Sequence, residues 1–246
     1  MPAIWRSRQL IFGLLAAAVI TLGCVSAPDS GPFGAPGAGA PSANETGAPA
    51  GDDPDGTDTP EEFAADVGAA TKIAEEYWDG VFRQSGIDFE PVSRVIPYQQ
   101  EGEVDCGGQP LGLKNAAYCS AGDFIAYDVN WAYQAFRQIG DAFIFYLLGH
   151  EYAHAVQLRL GVQAQFTIQQ ELQADCMAGA YIGDMERQKR LSLADGDTEE
   201  LAAGLEAVGD DPGQPWFAEG SHGTARQRTR AFANGYQESL EPCNLT

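Results

Sequence analysis

The stretch LLGHEYAHAVQLRL, Leu147 to Leu160, sets His150, Glu151 and His154 into an otherwise largely apolar run. Positions four apart on an α-helix differ by about 400°, so His150 and His154 leave the same face one turn apart and their imidazoles can share one ion. Glu151 is turned about 100° from His150, near enough to reach a water on that ion without ligating it. Charge buried in such a helix is costly without a partner. The segment therefore predicts a core helix with one chemical face, packed by Leu147, Leu148, Ala155, Val156 and Leu158, and carrying an HExxH arrangement.

A catalytic zinc site takes three protein ligands and leaves a position for water, so a third ligand has to come from elsewhere. The next helical segment, TIQQELQADCMAG from Thr167 to Gly179, offers Glu171 and Asp175. These lie four apart and share a face. Glu171 is assigned as the third ligand and Asp175 as the partner that orients a ligand histidine. The expected cofactor is one zinc ion.

Upstream, TPEEFAADVGAATKIAEEYWDGVFRQSG predicts a first helix, with Thr59 as cap, Pro60 in the first turn, Glu62 completing a capping box and Gly86 as stop. PVSRVIPYQ and DFIAYDV read as short strands on either side of the Gly-rich stretch from Gly102 to Gly112. Further helices are expected from about Trp131 to Leu160 with a break near Gly140, from Phe166 to about Lys189, and from Thr198 to Val208. The fold class is α+β, a mainly helical domain over 61–246 with a small sheet.

The N-terminus has a different character. Arg6 and Arg8 precede the apolar run Leu10 to Gly23, which is shorter than the about 20 residues a membrane-spanning helix needs, so 1–24 reads as an export signal. Gly23 and Cys24 resemble the end of a bacterial lipobox, although Thr21 and Leu22 depart from its usual residues; Cys24 is the expected lipidation site, with simple secretion or an uncleaved anchor as alternatives. Residues 25–60 hold seven Gly, seven Pro and six acids with no base, a linker composition. The expected location is outside the cytoplasm, anchored to the cell membrane through the N-terminal lipid or signal, or secreted.

Four cysteines remain for an oxidising compartment: Cys106, Cys119, Cys176 and Cys243. Of the three pairings they allow, the favoured one joins Cys106 with Cys119, bracketing the Gly-rich loop, and Cys176 with Cys243, pinning the C-terminal tail. Zinc ligation by these thiols is the rival, without a close CxxC pair to support it. The formal net charge of −21, from 35 acids and 14 bases, repels phosphate backbones and argues against a nucleic-acid partner.

HEYAHAVQ at 150–157, ELQADCMAG at 171–179, GDD at 209–211 and SHGTARQR at 221–228 together resemble the bacterial neutral zinc metallopeptidase family, over roughly Glu61 to the C-terminus. That family is similar in its site to the gluzincin group, including the CAAX-prenyl-protease-like enzymes, in which a glutamate on the following helix is the third ligand. The resemblance implies His150, His154 and Glu171 as ligands and Glu151 as general base, and its cysteine positions match the four here. It also implies that His222 and Arg228 lie near the active site as catalytic residues, where either could donate to a developing oxyanion. The plain alternative is a capping histidine and a surface ion-pair arginine.

The chemistry expected is peptide hydrolysis: Glu151 takes a proton from a water acidified by zinc and returns it to the leaving amine. The partner is a peptide or protein substrate, and DFIAYD is the candidate edge strand for holding it in extended form. The rival from another class is a catalytically inactive zinc-binding scaffold in the cell envelope. Nothing in the composition bears on oligomeric state.

Overall fold

The computed structural model describes residues 59–218 and 220–245. The expected leader at 1–24 with Cys24, and the linker at 25–60 apart from its last two residues, lie outside the described residues. The architecture is α+β, mainly helical with a small mixed sheet.

Helix α1 (Pro60–Gln84) begins where the Thr59 hydroxyl accepts the Glu62 N–H, with Pro60 in the first turn, where its missing N–H costs nothing. Its buried face is Phe63, Ala70, Ala74, Tyr77, Trp78 and Phe82, spaced three and four apart as an amphipathic helix requires. Strand β1 (Arg94–Tyr98) follows, then a two-rung hairpin of β2 (Asp105–Cys106) and β3 (Gln109–Pro110), then β4 (Ala116–Cys119) and β5 (Phe124–Asp128).

The main sheet has the order β1-β5-β4. β1 runs parallel to β5 with Arg94 beside Phe124, and β4 runs antiparallel with Ala117 beside Ala126. All five residues of β5 are buried. DFIAYD is thus the middle strand, with both sides taken, and not the edge expected from sequence. The edges are β1 and β4, and β4 had not been read as a strand. A small core of Tyr98, Cys119, Phe124 and Ala126, with Ile96, Val104, Cys106 and Leu111 against it, lies at the sheet, and the Cys106–Cys119 disulfide ties the hairpin to the end of β4.

Asp128 caps α2 (Val129–Ile139) by accepting the N–H groups of Asn130 and Trp131. Gly140, at φ +127, separates α2 from α3 (Ala142–Leu160); a side chain here would be strained and would strike the Glu200 carboxylate, so only glycine serves. Helix α3 buries 15 of its 19 residues, which is why it carries almost no amphipathic pattern: it is the centre of the domain. Leu147, Leu148, Ala155 and Val156 pack as expected, whereas Leu158 is 54% exposed.

Helices α4 (Thr167–Arg187), α5 (Asp197–Ala207) and α6 (Ala225–Glu238) complete the domain. The sequence reading contained no helix after Val208. α6 lies so close to α4 that a Cβ on Gly179 would strike the Phe232 carbonyl, and one on Gly235 the Cys176 carbonyl. The Cys176–Cys243 disulfide fastens the chain end at the same junction. All four cysteines outside the leader are therefore in disulfides, paired as the spacing had favoured, and none is available as a thiolate ligand.

Candidate metal centre

Helices α3 and α4 bring His150, His154 and Glu171 together. The Nε2 atoms of the two histidines are 3.1 Å apart; Glu171 Oε2 is 3.2 Å from His150 Nε2, and its Oε1 is 3.5 Å from His154 Nε2. Donors placed about 2.0–2.1 Å from a tetrahedral zinc stand about 3.3 Å from one another, and the two histidine nitrogens and the nearer Glu171 oxygen of each pair lie close to that spacing. His150 and Glu171 are buried, while the His154 side chain is 21% exposed and marks the open side.

The charges agree with that use. Burial alone would raise the Glu171 carboxyl pKa, but hydrogen bonds from His150 and His154 outweigh it and hold the group well below the usual carboxylate range. Burial would likewise lower the pKa of His150, yet the carboxylates of Asp175 and Glu171 beside it push it up to about 10. Without metal, His150 keeps a proton that a bound ion would displace.

Each histidine is braced from behind. His150 Nδ1 lies 2.9 Å from Asp175 Oδ1, in ion-pair contact but off the line of a straight hydrogen bond. Asp175 is fully buried and its carboxylate is crowded with donors: Arg228 Nε and Nη2 at 2.9 Å each, and the Tyr146 hydroxyl at 2.8 Å. His154 Nδ1 meets Gln157 Oε1 at 2.9 Å. Gln157 Nε2 donates to Gln170 O and Gln173 Oε1, which leaves Oε1 as the acceptor, so His154 carries its proton on Nδ1 and turns a lone pair on Nε2 to the centre. Tyr146 and Gln157 were not singled out from sequence, although they stand four before His150 and three after His154, the same-face spacings of a helix.

Glu151 is buried, and its Oε2 accepts the Tyr118 backbone N–H at 2.8 Å. That donor follows from strand parity. Asp128 N–H bonds Asn115 O, so Asn115, Ala117 and Cys119 turn their backbone groups towards β5, and Ala116 and Tyr118 turn theirs outward. The outer edge of β4 thus runs beside the glutamate.

Two histidines and a glutamate at zinc spacing, with a second glutamate held alongside, call for comparison with known proteins. A sequence profile for the family described as "Putative neutral zinc metallopeptidase" matches residues 11–245. The chain belongs to this family. Among the relatives of this chain is the uncharacterized protein YpfJ of Escherichia coli K12, 27% identical over 211 residues, which cover 75% of this chain and 71% of that protein. The uncharacterized proteins Rv2575 of Mycobacterium tuberculosis H37Rv and Mb2605 of Mycobacterium bovis are each 35% identical over 116 residues, 37% of this chain and 40% of theirs. No solved structure matches.

The two singled-out residues of SHGTARQR fall in different settings. Arg228 is 4% exposed and faces Asp175, Tyr146 and the Val208 carbonyl, to which Nη1 donates at 2.9 Å. The surface ion pair is thus ruled out: the guanidinium sits behind His150, on the far side of Asp175. Arg228→Leu is expected to destabilise the metal-free protein by about 3–5 kcal/mol, because it strands the Asp175 carboxylate in the core, and urea unfolding at neutral pH measures it. His222 is half exposed. Its backbone N–H and that of Gly223 donate to Asp210 Oδ2 at 2.7 and 2.8 Å, and its Nδ1 lies 3.5 Å from Asp210 Oδ1. Gly223 in the same loop lies against Ile168 and Leu172, which flank Glu171 on α4.

Proposed function

We propose that the domain at 61–246 is a zinc-dependent endopeptidase acting on extended or unfolded polypeptide, with Glu151 as general base. The observation that carries this reading is the convergence of His150 Nε2, His154 Nε2 and a Glu171 oxygen on one point, with Glu151 one residue along α3. His150, His154 and Glu171 are the ligands in this reading, and Asp175 and Gln157 hold the two imidazoles in the coordinating orientation. When bound, zinc supplies a Lewis acid that brings the pKa of its water down to about 7.

The chain's own residues do the rest. Glu151 has Oε2 fixed by the Tyr118 N–H, which leaves Oε1 to accept a proton from the attacking water and to return it to the amine nitrogen as the peptide bond breaks. The outward N–H and carbonyl of Ala116 and the outward carbonyl of Tyr118 on β4 suit a substrate held as an added antiparallel strand, while the Tyr118 N–H stays on Glu151. With Arg228 committed to Asp175, His222, tied to Asp210, is the other of the two residues that the resemblance places near the site, and it carries a donor for the oxyanion. Two disulfides suit an oxidising compartment. A lipid on Cys24 would tether the domain to the membrane through the 25–60 linker.

Metal removal tests this reading. The purified protein is expected to hold one zinc per chain and to cleave unfolded casein; dialysis against a chelator should abolish cleavage, and one equivalent of zinc should restore it. A protein that binds one zinc yet leaves casein and a mixed peptide library intact would favour the inactive scaffold.

A further inference from the structure

Tyr118 meets α3 at two places. Its backbone N–H reaches Glu151, and its phenol donates to Asp123 Oδ1 at 2.8 Å. Asp123 closes the turn between β4 and β5, and Arg159 Nη2 bridges both of its carboxylate oxygens at 2.9 and 3.1 Å. Arg159 belongs to α3, about 12 Å along the axis from Glu151. Its side chain is 14% exposed and is held in turn by Glu90 O, which accepts from Nε at 2.6 Å, and by Ala155 O, which accepts from Nη1 at 3.0 Å. Asp123 has φ +51, a left-handed conformation that aspartate tolerates in turns and glycine adopts freely. The strand is thereby pinned to α3 at both ends of one tyrosine, by the backbone at Glu151 and by the ring tip at Arg159.

We propose that Arg159, acting through Asp123 and Tyr118, is a positioning residue for Glu151. It fixes where β4 lies against α3, and hence where the Tyr118 N–H holds Oε2 and where Oε1 is aimed. The inference rests on Glu151 being the base. Reacting groups displaced by about 1 Å can lose about 100-fold in rate, so a brace of this kind has a kinetic role as well as a structural one.

Asp123→Gly is the informative variant, because glycine is at ease at φ +51 and only the carboxylate is lost. With labelled unfolded casein, kcat is expected to fall about tenfold, KM to stay within about twofold, and zinc to remain at one per chain. Tyr118→Phe, which removes a single oxygen, should give a smaller fall in the same direction, and Arg159→Lys should retain more activity than Arg159→Ala. A second readout needs no turnover. In the metal-free protein the Tyr118 amide faces away from β5 and is protected by Glu151, so its hydrogen exchange should quicken about tenfold in Asp123→Gly. Combined with Glu151→Gln, Asp123→Gly should slow cleavage no further, since both act through one group. Unchanged kcat and exchange in a folded Asp123→Gly would overturn the proposal, as would the same fractional loss on top of Glu151→Gln. Equal rates for wild type and Glu151→Gln would overturn the assignment of the base, and the brace with it.

Discussion

Glu171→Ala is expected to release the metal from an otherwise intact domain. Outer-shell partners of zinc ligands typically account for about 10–100-fold in affinity, and a direct ligand for more, so zinc binding should weaken by more than about 100-fold. The fold should persist, because α4 is buried through Ile168, Ala174, Met177 and Ala178 as well as Glu171, and alanine is the residue a helix accepts most readily. Zinc stoichiometry after gel filtration, beside an unchanged far-ultraviolet circular dichroism spectrum, is the measurement. Retention of one zinc per chain would refute Glu171 as ligand. Asp175 is the neighbour that sequence spacing offers in its place, but its oxygens already receive Arg228 and Tyr146, and it would have to leave both to reach an ion. Glu171→Asp should fall between wild type and alanine, because the carboxylate is kept and set back by one methylene.

Much of this centre was legible in the sequence because its parts are local. His150 and His154, and likewise Glu171 and Asp175, are each separated by one helical turn, so helix geometry alone puts each pair on a common face. What escaped depends on contacts between distant segments. Arg228 read equally well as a donor to substrate or as a surface cation, and only the packing of α6 against α4 places it on Asp175. α6 itself, ARQRTRAFANGYQE, buries Arg228, Phe232 and Gly235 and holds few large apolar residues, though Thr224 and Gln227 form a capping box that could have marked its start. DFIAYD could have been read correctly. An unbroken apolar run without alternation belongs to a strand covered on both faces, not to an edge. β4 gave no such signal, since AAYC is only partly buried, and with it went the backbone N–H that holds Glu151.

Glu151→Gln should separate binding of zinc from chemistry. The amide has the size of the carboxylate, and its oxygen can still accept the Tyr118 N–H, so the side chain stays where it is while losing the capacity to take up a proton. His150, His154 and Glu171 are untouched, and zinc should remain at one per chain. General acid–base catalysis contributes about 10²–10⁴-fold, or about 3–5 kcal/mol of barrier, and a drop of that size in kcat on unfolded casein is expected. KM should move little, because the group acts on the transferring proton and not on the parts of the substrate held along the strand. Glu151→Asp retains a base but shortens the reach, so it cannot meet both the Tyr118 N–H and the proton, and an intermediate rate should result. The pattern also separates this residue from Arg228, whose loss acts first on stability, and from Glu171, whose loss acts first on metal content. A Glu151→Gln protein with full zinc and wild-type cleavage would require another base, and among the described residues His222, held by Asp210, is the titratable side chain of the SHGTARQR motif still free to be tried in that role.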